Sequence, residues 1–141
     1  FLMRIELGYP DVQAERALLR GESRRDLLNQ LTAAMRPEDM LALQSEARAV
    51  HASDALLDYV QALLNHTRVN ADFASALSPR AGLALAQSAR AWALLDGRKH
   101  VVPEDVQAVL PSVVSHRLTL KADNVSARDV ADVLLRGVAI P

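Results

Sequence analysis

A run of small and apolar side chains over residues 78–97 predicts a helix at the centre of the fold. Ala alternates there with larger apolar residues, and the only charge in its apolar part is Arg90. A helix that is apolar over most of its circumference is usually buried among other helices. Ser78 as N-cap, Pro79 at the first helical position and Gly97 after the exit agree with these bounds. We therefore expect a helical bundle built around this segment, with Trp92 in its core.

Apolar residues at helical spacing predict further helices on both sides of the central one. The expected packing residues are Leu18 and Leu19; Met40, Leu43, Ala47 and Val50; Leu56, Leu57, Val60, Leu63 and Leu64; Val106, Val109, Leu110, Val113 and Val114; and Val130, Val133 and Leu134. Pro111 falls inside the fourth set, so we expect a kink or an end near Val109. Residues 26–35 could form a further short helix after a charged, solvated segment, and Ser126 resembles a capping residue.

The N-terminal residues 1–7 alternate apolar and polar side chains, which is the period of a half-buried strand. Residues 8–10, Gly-Tyr-Pro, then break the pattern. No second strand follows to pair with it, so we expect its partners in a region upstream of Phe1. Because the chain opens without Met, we expect it to be part of a larger protein. The predicted fold class is mainly α, a helical bundle with one N-terminal extended segment.

Composition excludes several classes of function. The chain has 141 residues, half of them hydrophobic, and a net charge of −1, which gives no general attraction to nucleic acid or to an anionic membrane. It has no Cys and no apolar run near the ~20 residues of a membrane span. No signal peptide is visible, so we expect a cytoplasmic protein. A helix-turn-helix DNA-binding domain is disfavoured because the central helix is too apolar for a recognition helix.

Arg80 is the unusual residue of the central helix. A cation in the first turn faces the positive end of the helix dipole, which costs roughly 0.3–1 kcal/mol. Free backbone N–H groups together with a guanidinium form a site for an anion, phosphate above all. The alternatives are a local ion pair, for instance with Asp72, or an arginine that is only solvated.

No complete catalytic site is present in the sequence. It contains no GxxxxGK[ST] and no GxGxxG phosphate loop. The four His residues are scattered without metal-site spacing and are expected at or near the surface. Ser115 beside His116 lacks a residue that would orient a base. The basic turn at residues 96–100 is expected to be a solvated loop.

Four strings taken together resemble the MoxR family of AAA+ ATPases. They are FLMRIELGYPD, VHASDALLDYV, SPRAGLALAQSARAWALLDGR and VVPEDVQAVLPSVVSHRL, and they cover the chain from Phe1 to about Leu118. One departure is Val102, which stands where such proteins often have a capping Thr or Ser.

The resemblance implies that a nucleotide-binding core, with the phosphate loop and Mg²⁺-binding acids, precedes this chain. Residues 1–10 would be the last core strand and the hinge, and residues 11–141 the helical lid domain. Arg80 falls on the sensor-2 arginine and would be catalytic, with Ser78 and Pro79 beside it at the nucleotide. ATP and Mg²⁺ are expected in the intact parent, none bound to this chain alone, and no metal ligand within it.

The partners implied are the AAA+ core, neighbouring subunits of a homo-oligomeric, hexameric ring, and a client protein that the sequence does not identify. Neither nucleic acid nor membrane is expected as a partner. The parent would couple ATP hydrolysis to chaperone-like assembly or activation of partner proteins. The alternative is a helical interaction or adaptor domain without a nucleotide role, for which Arg80→Ala would be silent.

Overall fold

The computed structural model describes residues 1–21, 28–121 and 127–140. The helices within these ranges are α1 (Val12–Leu19), α2 (Pro37–Ala49), α3 (Asp54–Val69), α4 (Pro79–Leu95), α5 (Pro103–Val114) and α6 (Ala127–Gly137). Residues 28–30 add one helical turn, so only part of the predicted short helix at 26–35 is helical where it is described. The charged segment before it and the predicted cap at Ser126 lie outside the described residues.

Helix α4 is the centre of the bundle, as the sequence predicts. It packs against α2, α3 and α5, while α6 packs on α3 and α5. The contact faces of α4 are made of small side chains, among which Ala81, Ala89 and Ala93 are completely buried. A Cβ on Gly82 would lie 3.0 Å from a terminal methyl of Leu64, so α3 and α4 approach closely at this point. The resulting core is continuous from Val50 to Leu134.

Burial of α4 is one-sided, however, and the prediction that Trp92 belongs to the core is wrong. Trp92 is 48% exposed, Leu83 is 65% exposed and Leu95 is 83% exposed. Neighbouring helices cover only part of the circumference, and Trp92 and Leu95 lie in the last turn. An apolar pattern identifies surface that is able to pack, but it does not determine whether this chain provides the covering partner.

Helix α2 departs from its predicted face more strongly, since none of its residues is buried. Met40 and Leu43 are exposed, and of the four expected packing residues only Val50, directly after the helix, lies in the core. Leu57 on α3 is also exposed, whereas the other four residues predicted for that stripe are buried. The helix bounds therefore follow the sequence more closely than the packing does.

Pro111 does not end α5, contrary to the expectation. The helix continues to Val114, and the Ser115 N–H donates to the Pro111 carbonyl at 3.1 Å. Proline removes its own N–H from the helical ladder and its ring crowds the carbonyl four residues earlier, which together cost about 3 kcal/mol. The predicted face of α5 is completely or almost completely buried, and burying such side chains contributes about 1.5–3 kcal/mol each. This burial outweighs the cost of the proline.

The N-terminal segment has no strand partner among the described residues. It lies instead against the end of α5, where the Arg4 N–H donates to the Ser112 carbonyl at 2.8 Å. The Arg117 guanidinium donates to the carbonyls of Phe1 and Leu2 at 2.5 and 3.1 Å. Helix α1 then follows without a buried side chain, so the packing predicted for Leu18 and Leu19 is also wrong.

Two isolated bridges hold the loops that connect the helices. His51 pairs with His100 in parallel, and Phe73 pairs with Leu120 in antiparallel orientation. The first bridge places the buried Val101 beside α4, and the second joins the loop before α4 to the segment after α5. Both loops around α4 are thereby fixed to distant parts of the chain.

The turn after α4 is exposed at Asp96, Gly97, Lys99 and His100, as its charge predicts, and only Arg98 is half-buried. Arg98 donates to both carboxylate oxygens of Asp105, at 2.7 Å to Oδ2, and the Asp105 side chain is only 2% exposed. Asp105 also accepts the Val102 N–H at 2.8 Å, which supplies the cap that Val102 itself lacks. This buried carboxylate therefore joins the end of α4 to the start of α5.

We expect Asp105→Asn to lower the free energy of unfolding by about 2–3 kcal/mol at neutral pH, because Arg98 would lose its buried partner. The Arg98 hydrogen bonds, more than the Val102 N–H, hold the pKa of Asp105 below its ordinary value. Because the pKa is lower in the folded state, the Asp105 carboxylate contributes its full stabilisation above the unfolded-state pKa of about 3.9. This contribution is lost as the pH falls through the folded-state pKa. Urea unfolding of both proteins should therefore converge in acid. The control is Asp96→Asn at an exposed position. An equal loss of unfolding free energy in that variant would contradict the prediction.

Gly137 at the end of α6 provides a second test of the packing. A Cβ there would lie 2.3 Å from Nε2 of His66, whose ring contacts Asn70 at 3.1 Å and meets Phe73 edge-on. Gly137→Ala should therefore lower the free energy of unfolding by about 1–2 kcal/mol despite the better helix propensity of Ala. In a His66→Ala background the same change should become neutral or stabilising. Equal losses in both backgrounds would show that the His66 ring is not the obstacle.

Candidate functional site

Arg80 is the second residue of α4 and its side chain is exposed. Throughout the described part of the chain, no carboxylate lies within ion-pair distance of its guanidinium, and no acceptor is found for it. The ion pair with Asp72 considered from the sequence is not formed. Arg80 is thus a cation at the positive end of a helix without a compensating anion.

The first turn of α4 offers fewer free donors than the sequence suggests. The Ser78 hydroxyl accepts the Ala81 N–H at 3.4 Å, so the predicted N-cap is confirmed. Pro79 has no N–H, and the Gly82 N–H donates to the Ser78 carbonyl at 3.4 Å. Within the described ranges, only the N–H of Arg80 itself lacks an acceptor in this turn. An anion bound at the first turn of α4 would therefore accept hydrogen bonds from one backbone N–H and one guanidinium.

The start of α4 is fixed through the backbone of Leu77, the residue before the cap. The Leu77 N–H donates to the Thr67 hydroxyl at 3.0 Å, and the Thr67 hydroxyl donates to the Leu64 carbonyl at 2.7 Å. The Leu77 carbonyl accepts from the Arg68 guanidinium at 3.3 and 3.4 Å. With the Leu77 side chain 2% exposed, this residue attaches the entry of α4 to the last turn of α3.

Sequence reasoning did not identify Thr67 or Arg68. Thr67 continues the buried stripe of α3, three and four residues beyond Leu64 and Leu63. A hydroxyl on a buried stripe needs a partner, and this requirement is the signal that could have revealed it. The partner itself, a backbone N–H ten residues later, was not predictable from spacing.

An apolar groove of about 370 Å³ lies beside Arg80, between α3 and the first half of α4. Its exposed walls include Leu57 and Leu83, and Pro79 belongs to its lining. The remaining lining residues are Val60, Gln61, Leu64, Arg68, Gly82 and Ala86. Of the three predicted site residues, only Pro79 lines this groove, and Ser78 and Arg80 are its neighbours in the chain.

Metal ligands do not converge anywhere in the described ranges, where no three His, Asp or Glu side chains are placed to hold an ion. His51, His100 and His116 are exposed and His66 is half-buried, as expected. Of the helices that the structure describes, none is long and apolar enough to cross a membrane.

Comparisons with known proteins agree with this architecture. Residues 65–134 match the AAA lid domain family. Over its whole length the chain is 35% identical to the chaperone MoxR1 of Mycobacterium tuberculosis, and 41% identical over half its length to the protein MoxR of Paracoccus denitrificans. The chain belongs to the MoxR family of AAA+ proteins. The AAA lid contains the helix start that carries Arg80.

A solved structure extends the agreement to three dimensions. The crystal structure of a candidate ATPase from Cytophaga hutchinsonii superimposes on the entire chain with a TM-score of 0.82 at 28% identity. The chain spans 47% of that protein, 40% of MoxR1 and 45% of the Bacillus subtilis protein YeaC, to which it is 29% identical. It therefore corresponds to less than half the length of these relatives.

We expect Thr67→Val to destabilise the lid domain by about 1–3 kcal/mol, because the buried Leu77 N–H would lose its acceptor. Thermal and urea unfolding of the chain measure this loss. Thr32→Val, at an exposed position outside the helices, is the matched control and should change stability little. If both variants unfold alike, the Leu77 anchor contributes nothing to stability.

Proposed function

We propose that this chain is the lid region of a MoxR-like AAA+ ATPase and that Arg80 contacts the phosphates of the bound nucleotide. Residues 1–10 would connect it to the nucleotide-binding core, and residues 11–141 would be the lid. Movement of the lid on ATP hydrolysis would drive chaperone-like assembly or activation of partner proteins.

The observation that carries this proposal is the state of Arg80. Its guanidinium has no anionic partner in the described chain, yet the helix start beneath it is held by the Leu77 hydrogen bonds to α3. A guanidinium recognises phosphate oxygens through two parallel N–H donors. The backbone that carries Arg80 is fixed, and its guanidinium has no anionic partner in the described chain. Both features suit a residue whose anion is supplied by a ligand.

The residues present suit one side of an ATP site and no more. Arg80 and its backbone N–H could contact phosphate, with Ser78 and Pro79 shaping the turn, while the sequence contains no phosphate loop. The described residues also lack a cluster that could hold Mg²⁺, so that ion would be bound by the core. When bound, ATP would supply a γ-phosphate as the anionic partner of Arg80, and Arg80 would then hold the lid towards the nucleotide.

The hinge assignment rests on the segment before α1. Gly8 has a φ of +69°, a conformation that glycine adopts readily, and the residues around it are exposed. Upstream of Gly8, Phe1 and Leu2 are held by Arg117 at the end of α5. A change of backbone angle at Gly8 would move residues 1–7 relative to α1, but for residues 1–7 to move relative to the whole lid their hydrogen bonds to Ser112 and Arg117 would have to break.

The groove between α3 and α4 supports attachment to a further folded unit. Its walls include the exposed Leu57 and Leu83 together with Pro79, and contiguous exposed apolar surface usually marks an interaction site. We propose that the AAA+ core or a neighbouring subunit of a hexameric ring covers this groove. The name of MoxR1 as a chaperone supports a protein client for the intact protein, which we propose to be cytoplasmic.

In the full-length parent protein, Arg80→Ala should reduce the ATP turnover rate at least tenfold while the melting temperature stays nearly unchanged. The reason is that the exposed side chain makes no described contact whose loss would destabilise the fold. Steady-state phosphate release and thermal unfolding measure the two effects. Arg80→Lys retains the charge but loses the two parallel N–H donors of the guanidinium, so it should give an intermediate turnover rate.

The matched control is Arg16→Ala, which removes an exposed arginine from α1, a helix without buried residues. It should leave turnover unchanged. Equal turnover in Arg80→Ala and wild type would refute the sensor role and favour the second candidate, a helical adaptor domain that binds proteins through the α3–α4 groove.

A further inference from the structure

A second cavity, of about 840 Å³, opens between α2 and α4 beside the N-terminal segment. Its lining residues are Leu2, Gln44, Ala47, Arg48, Gln87 and Arg90. Each helix contributes one glutamine and one arginine, spaced four residues apart on α2 and three apart on α4, so each pair shares a helix face. None of the six lining residues is acidic.

The two arginines of this cleft have no anionic partner in the described chain. Arg90 donates through Nε to the Val50 carbonyl at 3.2 Å, which fixes its position, and no carboxylate lies within ion-pair distance of its guanidinium. The described residues likewise provide no ion pair for Arg48. Two uncompensated guanidinium groups in a concave site create a positive potential that attracts an anion.

We propose that the cleft between α2 and α4 binds an acidic polypeptide segment, with an Asp or Glu carboxylate of that segment lying between Arg48 and Arg90. The planar fork of a guanidinium matches a carboxylate. Gln44 and Gln87 can both donate and accept, as the backbone of a bound segment requires. Leu2 and Ala47 add apolar contacts.

The size and charge of the cleft argue against a single ion and against nucleic acid as the occupant. Its volume lies within the ~300–1,000 Å³ of ligand sites and far exceeds that of a single ion. Two cations are too few for nucleic acid, whose affinity depends on neutralising many phosphates. The chain as a whole, at a net charge of −1, adds no further attraction for a polyanion.

This cleft is separate from the proposed nucleotide contact. Arg90 lies ten residues after Arg80 on α4, which corresponds to about 15 Å along the helix axis. The inference therefore goes beyond the proposed function and does not depend on it. Arg80→Gln should leave peptide binding unchanged, so the two proposals can fail independently.

The test is fluorescence anisotropy of the 141-residue chain with a fluorescein-labelled peptide of alternating Glu and Gly. We expect saturable binding that Arg48→Gln weakens about fivefold or more, which corresponds to about 1 kcal/mol. Arg48 has no hydrogen bond among the described residues, so its loss should not affect folding, which thermal unfolding checks. Arg16→Gln is the matched surface control, and a peptide of alternating Gln and Gly controls for charge.

Several outcomes would overturn the proposal. These are an absence of saturable binding, an equal effect of Arg16→Gln and Arg48→Gln, and equal affinity for the Gln peptide. Pyrophosphate is added as a competitor. Weak competition supports the polypeptide assignment, whereas displacement at concentrations below those of the peptide would assign the cleft to phosphate instead.

Discussion

The close packing of α4 against α3 and α5 is the constraint on which the rest of the structure depends. It is made possible by small side chains, since Ala81, Ala89 and Ala93 are fully buried and Gly82 leaves room for Leu64. Small residues bury little area themselves, so most of the hydrophobic stabilisation comes from the larger side chains that reach between the helices, such as Leu63, Leu85 and Leu110. The alanines determine the distance between helices, and the leucines supply most of the free energy.

Buried polar interactions fix both ends of α4. Before the helix, Leu77 is held by Thr67 and Arg68, and after it Arg98 is paired with the buried Asp105. A hydrophobic face alone would allow a helix to slide or rotate, whereas directional hydrogen bonds at both ends do not. The positions of the exposed cations on α4 are therefore determined by groups that are themselves buried, which is the arrangement that functional sites require.

The sequence predicts helix bounds well because caps, prolines and apolar periodicity are local signals. Ser53, Ser78 and the Pro103 start are all found where expected. The pairing of Arg98 with Asp105 could not be predicted in this way, because it depends on how the turn between two helices folds. The interpretation of residues 96–100 as solvated followed from their charge alone.

Burial was predicted less well for a different physical reason. Periodicity shows which face of a helix is apolar, but Trp92, Met40 and Leu57 are exposed because no element of the described chain covers them. Arg80 is a different case: its position at a helix start follows from local signals, whereas the sequence left open whether it pairs with Asp72. The cleft containing Arg48 and Arg90 was missed because its residues come from helices far apart in sequence.

The exposed apolar surfaces belong to a chain that is shorter than its relatives. It spans less than half of MoxR1 and of the Cytophaga protein, so each relative has more than half its residues outside this region. The groove at α3 and the cleft at α2 both use α4 as one wall. Because α4 is fixed at both ends, occupants of the two sites would bind the same rigid element. A ligand that favours one position of α4 relative to the remainder of the protein would alter the affinity at the other site only if that site also distinguishes the two positions, and the alteration would then be reciprocal.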